Sequence, residues 1–358
     1  MGGDLVRWLL VHPGPEFSVH DLYVGWAEAL RELGEHVLEY NMADRLTFYD
    51  SVAIETGRSD RHGNPEFRKA LTHDKAIEMA ANGILSALYQ GWPDVVLIVS
   101  GFFTPPGLLE IIRARRHKVV LLMTESPYED PRQLAIAPYS DVTLLNDPAT
   151  IGAYRDVCAA AEYAPHAYRP SVHFPRRAAA PSYDLAFSGT GYESRIAFFE
   201  AMGLDGLRVA LAGNWVQMPE GSPLRQYLIH DPADCLDNEV TSDLYQAAQA
   251  GINFYRREAD ESVTVPGWAM GPREVEMAAS GLFYLRDPRP EGDEVLPMLP
   301  RFASPEDAGQ QLRWWLDHDD ARDTAAQAAR EAVRGRTFTS NARMLLRLLD
   351  RQPVTITR

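Results

Sequence analysis

Gly271-Pro-Arg-Glu-Val-Glu-Met-Ala-Ala-Ser-Gly281, followed by the apolar run Leu282-Phe-Tyr-Leu285, reads as a helix start, a short helix and a strand. Pro272 sits at a first helical position, where its missing N–H would have had no intrahelical partner. The other first-turn N–H groups face whatever lies at that end. Such an end attracts phosphate, by ~0.3–1 kcal/mol or more when partly buried. Glu276 lies one turn inside, where a carboxylate can accept two hydrogen bonds from a ribose diol. Together these features are the minimum that holds a nucleoside diphosphate. A bare Gly-Pro helix start with a solvated Glu is the plainer alternative, so the neighbouring elements matter.

Around this stretch, strands alternate with helices. Tyr183–Phe187 and Leu207–Leu211 read as strands, with a Gly189-Thr-Gly191 turn and a Ser194–Met202 helix between them. A helix near Asp243–Ala250 and a strand Ile252–Tyr255 precede the motif; amphipathic helices over Pro305–Asp317, Asp320–Gly335 and Asn341–Asp350 follow it. The first half repeats the pattern. Leu5–His12 reads as a strand, Val19–Leu33 as a helix with Ser18 as its N-cap and Gly34 as its stop, and His36–Tyr40 as a strand. Phe67–Leu88 has helical apolar spacing. Asp94–Val99 and Lys118–Met123 are runs suited to strands buried on both faces, Pro105–Arg115 is a helix, and Thr143–Leu145 is a short strand. Ala164–Pro175 is rich in Pro and His and lacks period, so it is a seam. The expected fold is α/β, with two Rossmann-like doubly wound domains facing across a cleft: 1–175, then 176–338, with 339–358 a C-terminal helix and tail that could return to the first domain.

The bulk properties agree with this division. A chain of 358 residues exceeds one ordinary core, and 46% hydrophobic content with 25 Gly and 25 Pro suits a globular α/β protein. Leu5–Val11 is too short, and interrupted by Arg7, to be a signal peptide or a membrane span. Cys158 and Cys235 are far apart with no metal-ligand spacing, which suggests a reducing compartment and a cytoplasmic location, in a bacterium or a phage-infected host. A net charge of −15 weighs against nonspecific nucleic-acid binding. The one basic cluster, Arg113–Lys118, reads as the solvated end of a helix.

Candidate chemistry lies at strand ends. Gly189 lets backbone approach a ligand, and Arg195 could pair a diphosphate or instead bond Glu193 or Glu200. Asn214 and Trp215 could flank a base, with plain core the alternative for Trp215; Arg256, in Asn253–Arg257, could face phosphate. In the first half, His12-Pro-Gly14-Pro ends the first strand, and Gly14 would seat a sugar or phosphate on backbone. His12, Glu16, His20 and Glu125 are candidate bases for an acceptor hydroxyl, a role worth about 10²–10⁴-fold, or else loop-capping polar groups. Asn146-Asp147-Pro148 reads as a helix cap. The His12-Pro-Gly-Pro turn is not the Gly-x-Gly-x-x-Gly of dinucleotide oxidoreductases.

The second half resembles the nucleotide-binding half of GT-B glycosyltransferases of the spore-maturation-type (CgeB-like) group. The resemblance rests on Tyr183-Asp-Leu-Ala-Phe-Ser-Gly-Thr-Gly-Tyr-Glu-Ser-Arg195, Leu244-Tyr245, Ile252-Asn253, Arg273–Gly281, Phe302–Asp307 and Arg334–Arg343. Glu125-Ser-Pro127 stands where the group usually has Asp then Pro, and the His12 and Ala164-Pro-His166 segments look like a phage and actinobacterial variant. The resemblance implies that Arg273 and Glu276 contact the sugar nucleotide, Glu276 on the ribose, with Glu274 on the same turn among the donor contacts. Many relatives carry a second Glu eight positions before the ribose Glu; here that position is Trp268, which could stack on a sugar face.

The activity implied is transfer of a sugar from a nucleoside diphosphate donor, UDP-linked by preference, to a hydroxyl, with no metal and no further cofactor. The alternatives are an epimerase or phosphorylase on the same scaffold, or a non-catalytic nucleotide-sugar sensor. The acceptor stays open among a modified DNA base, a virion protein and a small molecule.

Overall fold

The computed structural model describes residues 5–15, 19–176, 181–258 and 266–350. The chain forms two compact units, Met1–Ala164 with Ala342–Arg358, and Pro165–Asn341.

The first unit is built on six parallel strands: β1 (Arg7–Val11), β2 (His36–Tyr40), β5 (Val95–Val99), β6 (Lys118–Met123), β7 (Val142–Leu145) and β8 (Ala161–Tyr163), in the order β2-β1-β5-β6-β7-β8. Val95-Val-Leu-Ile-Val99 is buried at every position, because helices cover both faces of a parallel sheet. Those helices are α1 (His20–Glu32), α2 (Met42–Ser51), α3 (His73–Gly91), α4 (Pro106–Ala114), α5 (Asp130–Ile136) and α6 (Ile151–Val157). The α1 helix stops where Gly34 takes φ 87°, as its glycine predicts, but its N-cap is Val19 with no side-chain bond, and Ser18 lies outside the described residues. Arg113–Arg116 of the basic cluster fall at the exposed end of α4, as the dipole argument expects, but His117 is buried and Lys118 begins β6.

One expectation fails here. Phe67 belongs not to a helix but to an exposed antiparallel hairpin, β3 (Ala53–Ser59) and β4 (Pro65–Lys69), and α3 starts only at His73. Asp60 makes the turn by accepting the N–H groups of His62 and Asn64. Thr72 then caps α3 by accepting the N–H of Lys75. Strand β8 and helix α2 are further elements that the sequence reading omits.

The second unit has four parallel strands, β9 (Tyr183–Ser188), β10 (Val209–Ala212), β11 (Ala248–Asn253) and β12 (Phe283–Arg286), in the order β10-β9-β11-β12. Its helices are α7 (Glu193–Ala201), α8 (Asn238–Gln246), α9 (Pro272–Ala279), α10 (Pro290–Val295), α11 (Pro305–Leu316) and α12 (Asp319–Val333); α13 (Phe338–Asp350) ends the chain described. Residues 248–250, read as helix, are the start of β11.

The seam lies at Ala164–Pro165 rather than at residue 175. Residues 165–176 are tied to the second unit: Tyr168 N–H donates to the Arg336 carbonyl, Asn341 Nδ2 to the Pro165 carbonyl, and Ser242 Oγ to the Val172 carbonyl. A segment without helical period can still be fixed in place by such bonds.

Both sheets reverse their strand order once: between β1 and β5 in the first, between β9 and β11 in the second. The carboxyl ends of strands at such a reversal are where ligands settle in open α/β sheets.

Candidate functional site

In the second unit the reversal point is flanked by Gly189, just past β9, and Asn253, the last residue of β11. Arg273, at the start of α9, reaches into this point. Its Nη1 donates to Asn253 Oδ1 at 3.0 Å, and a Cβ built on Gly189 would lie 2.5 Å from its Nη2. A side chain at that position would press on the guanidinium where it now lies. Arg donates and never accepts, so the Asn253 amide must present its oxygen to Arg273. Asn253 is 1% exposed, and its Nδ2 has no partner among the described residues. An unmet buried donor costs about 1–3 kcal/mol, a cost that a ligand oxygen would relieve.

Arg195 comes to the same place. Its guanidinium stands 5.5 Å from the Phe187 ring centroid, and that of Arg273 5.1 Å. It bonds neither Glu193 nor Glu200. Its Nε and Nη2 donate to the Phe254 carbonyl at 3.1 and 2.9 Å, and its Nη1 to the Thr190 carbonyl at 2.8 Å. Its fork is therefore used on backbone, tying the loop after β9 to the end of β11. Burial, then the neighbouring Arg273 charge, push its pKa down, yet a guanidinium stays cationic at neutral pH. Two cations thus stand side by side at this corner, with Glu258 the carboxylate that acts on Arg195 among the described residues.

The helix tip itself differs from the expectation. Glu274 is fully buried, and its Oε2 turns back to accept the Gly271 N–H at 2.9 Å and the Tyr255 hydroxyl. Glu274 N–H donates to the Gly271 carbonyl, and Pro272 has no N–H. Glu274 thus caps its own helix rather than facing a donor, and few amides of the first turn are left to hold an anion. The cation at this helix start is the Arg273 side chain, which donates to Asn253 Oδ1. Burial raises the Glu274 pKa to about 7, against the pull of Tyr255 and Gly271.

Glu276, one turn along, is half-buried, and its Oε1 accepts from Asn238 Nδ2 at 3.1 Å. Arg256 and Trp268 are half-buried as well, whereas Trp215 is wholly buried core. Asn214 uses its Oδ1 on the Val216 N–H at 3.1 Å and its carbonyl on the Gly191 N–H at 2.7 Å, so it braces the loops after β9 and β10. A cavity of about 580 Å3 opens beside Phe198, Phe254, Arg257, Asp287 and Phe302; Arg273, Asn253 and Glu276 do not line it.

In the first unit, Gly14 follows β1 with φ 101°, and a Cβ there would lie 2.5 Å from the Phe103 ring. His12 is buried. Its Nδ1 accepts the Gly14 N–H at 3.1 Å, so the neutral ring carries its proton on Nε2 and donates it to His20 Nδ1, 3.1 Å away. Burial and His20 lower its pKa to about 4. The nitrogen that could take a proton is already in use, so His12 shapes the loop and does not present a base. Glu125 is half-buried just past β6. Glu16 lies outside the described residues. Asn146 and Asp147 do not cap α6: Asn146 Nδ2 donates to the Thr124 carbonyl and Asp147 accepts the Ala149 N–H.

Sequence reasoning did not assign roles to Asn253, Asn238 or His173. Asn253 stood within a quoted motif, but nothing local tells a strand-end Asn that holds an arginine from one that ends a strand.

Residues 195–348 match the sequence model of a family described as glycosyl transferase-like. No curated protein matches the chain. Among solved structures, the chain is similar to sucrose-phosphate synthase from Thermosynechococcus elongatus, with 13% identity over 97% of this chain and 99% of that one, at a TM-score of 0.63. It is also similar to Anabaena HepE, determined in complex with UDP and glucose, with 10% identity over 97% of this chain and 100% of that one, at a TM-score of 0.64. A Listeria monocytogenes protein described as a UDP-N-acetylglucosamine 2-epimerase gives 12% identity, 98% of each chain and a TM-score of 0.60. At such identities these structures speak for the fold. Family match and fold together define the class: the chain is a glycosyltransferase of the GT-B fold. No described helix is long and apolar enough to cross a membrane.

Proposed function

We propose that the protein transfers a sugar from a uridine diphosphate sugar to an acceptor hydroxyl, within the spore-maturation-type group that its motifs resemble, in a reducing cytosol that suits two free cysteines. The observation that carries the donor reading is the Arg273 guanidinium at the strand-order reversal of the second sheet, between Gly189 and Asn253. Arg273 would take the diphosphate in a forked geometry, and Asn253 Nδ2 would donate to a ligand oxygen beside it. Glu276 would accept from the ribose hydroxyls. As the sugar leaves, charge grows on the diphosphate, and fixed cations there stabilise the transition state more than the ground state. Arg195 contributes through its charge and through the loop it holds. In the first unit Glu125 is the group to accept the acceptor's proton, with Gly14 and its loop shaping the ground beside β1. The uridine preference is supported by the UDP bound in HepE.

The test is a thermal-shift screen with UDP-, GDP- and dTDP-sugars, followed by measurement of UDP release without acceptor. A donor at 100 times its Kd should stabilise the protein by ~2.7 kcal/mol. Binding with no slow release of UDP would favour a sensor. No stabilisation by any nucleotide sugar would end the proposal.

A further inference from the structure

The Glu276 carboxylate does not stand alone. Asn238, the first residue of α8, donates through Nδ2 to Glu276 Oε1 at 3.1 Å, and its Oδ1 lies 3.0 Å from His173 Nε2. His173 is 1% exposed. It sits in the turn after the seam, where its own N–H donates to the Arg169 carbonyl at 2.8 Å. The Arg169 N–H in turn donates to His173 Nδ1 at 3.3 Å.

These contacts fix every proton in the chain. A backbone N–H can only donate, so Nδ1 of His173 is an acceptor and the neutral ring bears its proton on Nε2. That proton goes to Asn238 Oδ1. The amide is then locked with its NH2 toward Glu276, and it cannot rotate by half a turn without setting Oδ1 against the carboxylate and NH2 against Nε2–H. The order Arg169 N–H, His173, Asn238, Glu276 is therefore a one-way donor chain ending on a carboxylate.

We propose that His173 and Asn238 are positioning residues that hold the Glu276 carboxylate for the ribose diol of the donor, and so set the protein's preference for ribonucleotides over 2′-deoxyribonucleotides. This rests on the reading of Glu276 as the ribose contact. Outer partners that orient a ligating group act in this way in metal sites, where their loss costs affinity without removing the ligand itself. The relay also joins three parts of the second unit: the turn at 169–173, the start of α8 and the body of α9. Glu276 then has one carboxylate oxygen held by Asn238 before any ribose arrives, and less freedom is lost on binding.

The experiment measures Kd for UDP and for 2′-deoxy-UDP by calorimetry on the full chain, in wild type, Glu276→Gln, Asn238→Ala, His173→Gln and His173→Phe, with thermal melts to confirm folding. Asn238 is half-exposed, so Asn238→Ala keeps the test informative should a His173 variant fold poorly. Wild type should prefer UDP by about tenfold or more, the size expected for hydrogen bonds to a charged group. Asn238→Ala and His173→Phe should lose most of that preference, weakening UDP more than 2′-deoxy-UDP, which offers Glu276 only one of the two hydroxyls. His173→Gln, which keeps a donor for Asn238 Oδ1, should retain more of it than His173→Phe. If Glu276→Gln loses the preference but Asn238→Ala and His173→Phe keep it, the relay is refuted and the ribose role of Glu276 stands. If Glu276→Gln keeps the preference, or wild type shows none, the ribose reading falls and the relay proposal with it.

Discussion

Replacing Arg273 by Met removes a charge at the reversal point and keeps most of the side chain's bulk. A guanidinium about 4 Å from one unit of diphosphate charge contributes ~4 kcal/mol at an effective dielectric near 20. Arg273 is half-buried, so water shares that charge, and ~2 kcal/mol is the loss to expect. That corresponds to a roughly 30-fold rise in the Kd for UDP. Uridine has no diphosphate, so its binding should change by less than about twofold, and the UDP deficit should shrink as salt is raised. Folding should lose about 1–3 kcal/mol, because the bond lost leaves the buried Asn253 Oδ1 without its donor. Arg273→Lys should fall between the two, because an ammonium restores charge without the fork that reaches Asn253. Isothermal titration with UDP and uridine at two salt concentrations reads all of this. Equal weakening of UDP and uridine, or no change for UDP, would refute the assignment of Arg273 to the diphosphate.

Gly189→Ala should weaken UDP binding by less than Arg273→Met, since its new Cβ would lie 2.5 Å from Arg273 Nη2 and displace the guanidinium without removing its charge; unchanged UDP affinity would show that the guanidinium is not needed where it lies. Gly14→Ala meets both a φ of 101° and the Phe103 ring, and should destabilise the protein by roughly 1–3 kcal/mol in urea unfolding. Glu274 gives a pH signature. Its folded pKa is raised to about 7 from 4.5, so between those values the folded state holds a proton that the unfolded state has lost, and stability falls as pH rises through that window, by up to about 3 kcal/mol. Glu274→Gln should flatten the profile between pH 5 and 7.5; a wild-type slope that survives the change would place its origin elsewhere.

Much of this architecture is written in apolar runs. The Val95–Val99 and Lys118–Met123 strands stand where their unbroken Val and Leu content puts them, because a strand buried on both faces admits little else. The Gly271–Gly281 stretch likewise forms the helix it reads as. The exposed hairpin at 53–69 was not legible: a two-stranded arm with no core face has no apolar alternation to betray it, and Phe67 imitates the start of the helix that follows. For the candidate site, Arg273 and Glu276 are singled out by their places on one helix together with the family resemblance. Glu274 looked equally available, yet the direction of its side chain, back onto Gly271, is a matter of packing that spacing does not carry. On sequence alone Arg195 can pair a diphosphate or two nearby carboxylates; the structure gives its fork two backbone carbonyls in place of those carboxylates. Backbone acceptors have no sequence signature. His173, Asn238 and Glu276 are joined only by folding, over separations of 65 and 38 residues, which no local pattern could link.

The central claim is that the second unit grips a nucleoside diphosphate with Arg273 and Glu276. A crystal structure of the protein with UDP tests it most directly. The account predicts diphosphate oxygens within hydrogen-bond distance of the Arg273 guanidinium and ribose hydroxyls on the Glu276 carboxylate. UDP bound with its diphosphate on other residues, leaving Arg273 still turned only to Asn253, would contradict it.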